Sequence, residues 1–182
     1  SRPVIVHATE ATLEIIRAHV FNWAIWPDFS VIPSAEKPFM RFEPIRVGES
    51  IDIDGRKVVP LPANHTVPAV GYQLDSGRAS LVFTGDTGPC PELWTYVNAI
   101  RNLRYLIIEC AFSNREKRLA EASLHFCPSM LLEELANLQR DADIFITHLK
   151  PGQIELTMQE IEDCIGNEFR PGMLQNNQLF EF

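Results

Sequence analysis

Hydrophobic and polar positions follow two patterns along this chain, one typical of strands and one typical of helices. A short apolar run at residues 3–7 precedes a helical pattern that places Leu13, Ile16 and Val20 on one face. A strand followed by a helix favours an α/β layer arrangement. Residues 23–44 are rich in proline and aromatic side chains. We predict a long irregular segment there, which either covers a functional site or packs its aromatic rings on the core.

Four short strand patterns occupy the middle of the chain. They cover residues 50–53, 57–61, 70–74 and 79–84. Asp54-Gly55 separates the first two, and Asp75-Ser76-Gly77 separates the last two. Because both are hairpin signals between β-rich runs, the sequence predicts an antiparallel meander.

Helices and buried strands alternate in the second half of the chain. The helical patterns cover residues 91–100, 116–122, 128–138 and 156–165. The buried strand patterns cover residues 105–108 and 143–147. Since the sequence shows neither an internal repeat nor a linker, we expect a single domain over residues 1–182.

Three side chains that could bind a metal follow predicted strands. His65 follows the strand at 57–61, Asp86 follows an apolar run that stops at a glycine, and His148 follows the strand at 143–147. Histidine and aspartate are good ligands for zinc or manganese, and an aspartate can bridge two ions. These residues therefore form a candidate metal site. The alternative for each is a capping or hydrogen-bonded structural residue.

Composition narrows the classes of function. The 182 residues are 46% hydrophobic, as in an ordinary globular domain, and carry a net charge of -8. This acidity argues against binding to a nucleic-acid backbone, but it allows a small anionic substrate if a metal supplies positive charge. The four cysteines are widely spaced without a C-x-x-C pair, so we predict neither a disulfide framework nor a zinc knuckle. No apolar run reaches membrane-spanning length.

Five short sequence words lie in order along the chain. They are Asn64–Tyr72, Phe83–Pro89, Ile108-Glu109, Leu124-His125 and Thr147–Pro151. Together they resemble the second half of a metallo-β-lactamase-fold hydrolase, with the nearest match in the class II cyclic-nucleotide phosphodiesterases. The resemblance covers about residues 3–166 and implies an αββα sandwich of the α/β (α+β) class. The family's His-x-His-x-Asp-His motif does not occur here, so we expect this sequence to be the C-terminal part of that domain. As written it would lack most ligands of both metals, and we expect it to be inactive without the upstream segment or a partner that supplies it.

The resemblance also implies roles for the three candidate ligands. His65 takes the place of the family's third metal-ligand motif, Asp86 that of the bridging carboxylate and His148 that of the last ligand histidine. It implies two divalent metal ions, zinc or alternatively manganese, and hydrolysis of 3′,5′-cyclic AMP to 5′-AMP by a metal-activated hydroxide. The expected partner is this small-molecule substrate, with no nucleic acid and no membrane, and a homodimer is left open. We expect a cytoplasmic location, with the periplasm as the alternative.

Glu109 and His125 are the candidate catalytic residues. In the related tRNA 3′-processing branch, a glutamate and a histidine in comparable places cooperate in proton transfer. The resemblance implies that His125, held by Glu109, contacts the scissile phosphate or protonates the leaving 3′ oxygen. The alternatives are a histidine hydrogen-bonded to the backbone at a helix entry and a glutamate at a solvated strand end. Two other functions stay open, a tRNA 3′-processing endonuclease and a non-catalytic scaffold that has lost its metal site.

Overall fold

The computed structural model describes residues 2–182, which fall into two compact units. The first unit ends at Glu49, and the second runs from Ser50 to Phe182. The expectation of a single domain over residues 1–182 stays a prediction. Within the described residues, every helix is too short or too polar to cross a membrane.

The first unit contains one helix and a two-stranded sheet. Its elements are β1 (Val4–Ala8), α1 (Glu10–His19) and β2 (Met40–Pro44). Thr9 caps α1 through its hydroxyl, and Leu13 is completely buried, as the helical pattern predicts. β2 pairs in parallel with β1, so the prediction of an irregular segment up to residue 44 was wrong for its last five residues. The partner strand of β2 lies more than 30 residues away in the sequence, so the local sequence pattern does not predict this pairing.

The second unit is built on a seven-stranded sheet whose strands follow one another in chain order. The strands are β3 (Ile51–Ile53), β4 (Arg56–Pro62), β5 (Val70–Asp75), β6 (Ser80–Phe83), β7 (Leu103–Glu109), β8 (Asp143–Thr147) and β9 (Gly172–Met173). The first four are antiparallel, which confirms the predicted meander. β6 to β9 are parallel, and β9 was not predicted.

Helices connect the parallel strands, as crossover connections require. They are α2 (Pro91–Ala99), α3 (Lys117–Ser123), α4 (Pro128–Leu135) and α5 (Ile154–Ile165), and a 3₁₀ turn at Asn114–Glu116 precedes α3. α4 ends three residues before the predicted end, and α5 begins two residues before the predicted start. The helices bury residues such as Leu93, Leu131 and Ile161 in one core with Leu106 and Ile146 of the sheet.

Candidate active site

Four strands of the second unit end at the same edge of the sheet. β6, β7 and β8 are parallel, and β4 runs in their direction because both β4 and β6 are antiparallel to β5. His65 follows β4, Asp86 follows β6, Glu109 ends β7 and His148 follows β8. The topology therefore brings together four of the five predicted site residues, and His125 joins them from the segment between α3 and α4.

Glu109 is completely buried at the end of β7. The backbone N–H group of Thr87 donates to its Oε1 at 3.1 Å, and those of Ala111 and Phe126 donate to Oε2 at 3.1 Å and 3.3 Å. A buried carboxylate needs such partners, because isolated burial of its charge is costly. The alternative of a solvated strand end is wrong, and the side chain instead ties three segments of backbone together.

The side chain of His125 is bonded to Glu109. Its Nδ1 lies 2.6 Å from Oε1 of Glu109, a short distance for a charge-assisted hydrogen bond. α3 ends at Ser123, and the left-handed backbone of the next residue, Leu124 (φ of 55°), turns the chain toward the strand ends. The side chain bonds a carboxylate and not the backbone, which excludes the alternative of a purely backbone-bonded histidine. With Nδ1 engaged, Nε2 of His125 is left for other contacts.

Burial shifts the pKa values of Glu109 and His125 in opposite directions. It raises the pKa of Glu109 from 4.5 to about 7, although the backbone N–H groups of Thr87, Phe126 and Ala111 oppose the rise. It also lowers the pKa of His125 from its ordinary value, against the charge of Asp86. Because the two groups are in contact, they titrate as a pair. The pair can accept or release a proton near neutral pH, as acid–base catalysis requires.

Asp86 and His148 form a second pair at the sheet edge. Oδ1 of Asp86 lies 3.3 Å from Nδ1 of His148, and both side chains are about half exposed. His148 has a left-handed backbone with a φ of 60°, which is uncommon for a residue other than glycine. The imidazole rings of His148 and His125 lie 5.0 Å apart, so the two pairs are neighbours.

His65 approaches the site from the loop after β4. Its ring lies 4.8 Å from that of His125, and its Nδ1 lies 3.3 Å from the carbonyl oxygen of Leu124. A carbonyl only accepts hydrogen bonds, so Nδ1 of His65 donates. A neutral His65 then carries its lone pair on Nε2, the form in which histidine binds a metal.

Thr87 connects the loops that carry His65 and Asp86. Its hydroxyl accepts from the backbone N–H of Asn64 at 2.9 Å and donates to the carbonyl oxygen of Gly88 at 2.9 Å. The N–H of Gly88 donates to the carbonyl oxygen of Asn64 at 2.8 Å. These bonds hold the two loops side by side, which limits the movement of both candidate ligands.

A cleft of about 230 Å³ opens beside this group, and we call it the His125–His148 cleft. It is lined by residues 111–112, by His125 and by residues 148–151. The sequence reasoning missed Phe112 and Lys150, which line this cleft. Lys150 lies in one of the five sequence words, but nothing in the local pattern distinguishes it from an ordinary surface lysine.

A comparison with protein families identifies the family of this chain. The family described as the beta-lactamase superfamily domain matches residues 3–149. The chain belongs to the beta-lactamase superfamily. This membership confirms the resemblance that the five sequence words carry.

Several known proteins resemble this chain over most of its length. A probable 3′,5′-cyclic-nucleotide phosphodiesterase from Yersinia pestis is 24% identical over 203 residues, and the match covers 97% of this chain and 57% of that protein. Unliganded yeast PDE1 superposes with a TM-score of 0.78 at 19% identity, over 96% of this chain and 59% of that one. The metallo-β-lactamase fold protein YhfI from Bacillus subtilis gives a TM-score of 0.73 at 13% identity, over 100% of this chain and 66% of that one. This chain thus spans a little over half the length of the first two proteins.

These comparisons confirm the predicted fold class. The chain has the mixed α and β architecture of metallo-β-lactamase-like proteins, with sheets flanked by helices. The metallo-β-lactamase fold implies a site for divalent metal.

The donor atoms of this beta-lactamase superfamily member fit such a metal. Glu109, His125 and His148 can each offer one ligand atom, and these atoms all lie within 4.8 Å of one another. Asp86 contacts His148, and His65 keeps a ring nitrogen for a metal. Imidazole and carboxylate ligands suit zinc and manganese. This compact group shares only His148 with the predicted metal ligands His65, Asp86 and His148. Those three ligands therefore stay a prediction. The catalytic roles of Glu109 and His125 also stay predictions.

Proposed function

We propose that this chain carries the active site of a metal-dependent phosphodiesterase that hydrolyses 3′,5′-cyclic AMP to 5′-AMP. The observation that carries the proposal is the buried Glu109–His125 pair, which faces the cleft next to His148 and Asp86. The Yersinia pestis relative, a probable 3′,5′-cyclic-nucleotide phosphodiesterase, supports the choice of substrate.

His65, Asp86 and His148 are the residues that would hold the metal in this proposal. Two divalent ions, zinc or alternatively manganese, would supply positive charge that offsets the anionic phosphate and would lower the pKa of the attacking water. Thr87 keeps the loops of His65 and Asp86 together, and the contact with Asp86 orients the ring of His148. A preformed arrangement of ligands reduces the reorganisation needed on binding.

His125 has the role of proton donor to the leaving group. Glu109 holds its Nδ1, so Nε2 carries the proton toward the cleft and releases it to the 3′ oxygen of the ribose as the P–O bond breaks. Glu109 stabilises the protonated ring and fixes its orientation. Because Glu109 is buried and anchored by three backbone N–H groups, the orientation of His125 does not depend on the substrate.

The two other functions have weaker support. A tRNA 3′-processing endonuclease needs a basic surface, and the chain has 16 lysines and arginines against 24 aspartates and glutamates. A non-catalytic scaffold gains nothing from holding Glu109, His125 and His148 together. The homodimer and the cytoplasmic location stay predictions.

The decisive experiment is the hydrolysis of 3′,5′-cyclic AMP with added zinc or manganese by the protein together with any residues that precede this sequence, compared between the wild type, Asp86→Ala and His125→Ala. We expect conversion to 5′-AMP that falls by about 100-fold or more in both variants. His19→Ala is the matched control, because His19 lies in the last turn of α1 in the other unit. It should keep full activity.

The metal content of the same samples distinguishes the outcomes. If no turnover occurs although two metal ions bind per chain, the RNA-processing function replaces the proposed one. If there is neither turnover nor stoichiometric metal, the chain is a scaffold.

A further inference from the structure

One lysine shares the His125–His148 cleft with the candidate catalytic residues. Among the described residues that line the cleft, Lys150 alone carries a permanent positive charge. It lies two residues after His148, at the end of the segment that leaves β8. Two carboxylates lie behind the histidines of this cleft: Asp86 contacts His148, and the buried Glu109 contacts His125. Asp86 is about half exposed, so its negative charge opposes the approach of an anionic substrate, and Lys150 is placed to offset it.

Two contacts fix the position of the Lys150 ammonium group. Its Nζ lies 3.3 Å from Oε1 of Glu116 and 4.7 Å from the ring centroid of Phe112. Phe112 lines the same cleft and is buried. Attraction between a cation and an aromatic face holds the ammonium over the ring, so Lys150 is restrained beside the cleft and does not sample the range of a surface lysine.

Glu116 is itself held in place. It ends the 3₁₀ turn Asn114–Glu116, and the N–H of Asn114 donates to Oε2 of Glu160 on α5 at 2.7 Å. Oε2 of Glu116 is buried and has no hydrogen-bond partner among residues 2–182, so the carboxylate points only one oxygen at Lys150. An ammonium group has three N–H donors, and this pair uses one of them. The remaining donors are available, since the side chain of Lys150 is 42% exposed.

We propose that Lys150 binds a non-bridging oxygen of the substrate's phosphate group, and that Glu116 and Phe112 position it for this contact. The proposal rests on the function proposed above for its choice of a phosphodiester. Lysine binds phosphate as a point charge, and a charge-assisted bond is about twice as strong as a neutral one. As a purely structural pair, Lys150 and Glu116 would contribute little, because solvent screens an ion pair whose lysine side chain is 42% exposed.

The test measures binding without turnover. The product 5′-AMP and the uncharged adenosine are titrated into the wild type, Lys150→Met and Lys150→Arg by calorimetry, with and without zinc. We expect Lys150→Met to weaken the binding of 5′-AMP by about tenfold or more, with the affinity for adenosine unchanged. Lys150→Arg keeps the positive charge and should bind 5′-AMP more tightly than Lys150→Met. Lys57→Met, which removes an exposed lysine of β4 away from the cleft, is the matched control and should bind both ligands like the wild type.

Three outcomes would overturn the assignment of Lys150. They are equal binding of 5′-AMP by the wild type and Lys150→Met, an equal loss for 5′-AMP and adenosine, and a wild type that does not prefer 5′-AMP to adenosine. If the preference depends on Lys150 but the wild type hydrolyses no cyclic AMP, the anion contact stands and the proposed phosphodiesterase function falls. Should Lys150→Met melt below the assay temperature, Lys150→Gln replaces it in the same comparison.

Discussion

Nδ1 of His125 lies 2.6 Å from Oε1 of Glu109, and the two side chains meet in a place where the glutamate has no contact with solvent. A completely buried carboxylate is expensive unless every oxygen has partners. Here the partners are three backbone N–H groups and one imidazole. The free-energy cost of burying the charged carboxylate raises the pKa of Glu109, and the first prediction follows from this shift.

Glu109 makes the stability of the metal-free protein depend on pH. The folded state binds a proton up to about pH 7 that a glutamate with the ordinary pKa of 4.5 has lost, so the free energy of unfolding falls as pH rises through this window. Glu109→Gln lacks the titrating group. Unfolding by urea in the presence of a chelator should show the stability difference, wild type minus variant, falling by up to about 1.4 kcal/mol per pH unit.

His125 acts in the opposite direction in that experiment. The pKa of His125 is lower in the folded state than its ordinary value, so the unfolded state binds more protons at this residue. The contribution of His125 to the free energy of unfolding therefore rises with pH. Because His125 titrates as a pair with Glu109, the comparison is made in a His125→Asn background, which removes its contribution from the difference. A difference that stays constant between about pH 4.5 and pH 7 would contradict the raised pKa of Glu109.

Metal binding should stabilise the folded protein through His148. Any ligand that binds only the folded state raises the melting temperature. We expect zinc to raise the melting temperature of the wild type and of His19→Asn, and to have little effect on His148→Asn. Asparagine suits the test because it tolerates the left-handed backbone found at His148. An undiminished zinc response in His148→Asn would remove this histidine from the ligands.

Gly71 is required where β5 passes the end of β6. A Cβ atom there would lie 2.8 Å from the carbonyl oxygens of Phe83 and Thr84, and these backbone atoms lead directly to Asp86. We expect Gly71→Ala to reduce stability by about 1–3 kcal/mol, since the strand must shift to relieve the contact. Gly172→Ala is the control, because its nearest neighbour would lie at an ordinary 3.5 Å. Equal melting temperatures for the two variants would refute this prediction.

Glu134 stabilises the packing of α2 on α4. Its buried Oε1 accepts from the indole Nε1 of Trp94 at 2.6 Å and from the backbone N–H of Cys90 at 3.0 Å. Glu134→Ala leaves both donors without a partner, and we expect a loss of about 1–3 kcal/mol in unfolding free energy. Glu134→Gln keeps an acceptor oxygen and should lose less. Urea unfolding followed by tryptophan fluorescence measures both, and a larger loss for glutamine than for alanine would contradict the assignment.

The sequence predicted most of the elements because their signals are local. Strand runs bounded by Asp-Gly turns gave the meander, and proline at the first helical turn marked the starts of α2 and α4. The same signals placed His65, Asp86 and His148 after strands. Local signals fail for β2 and β9, whose hydrogen bonds come from distant strands and whose own residues show no clear pattern.

The sequence by itself determined which residues could perform chemistry and that strand ends carry them. The resemblance implied that Glu109 holds His125, but only the tertiary structure decided that Glu109 is completely buried, because its burial depends on three backbone segments that meet in space. It also decided that Lys150 faces the cleft, since Glu116 and Phe112 hold it from other parts of the chain. Strand direction explains both results: one parallel sheet edge gathers residues from across the sequence, and no single stretch encodes their distances.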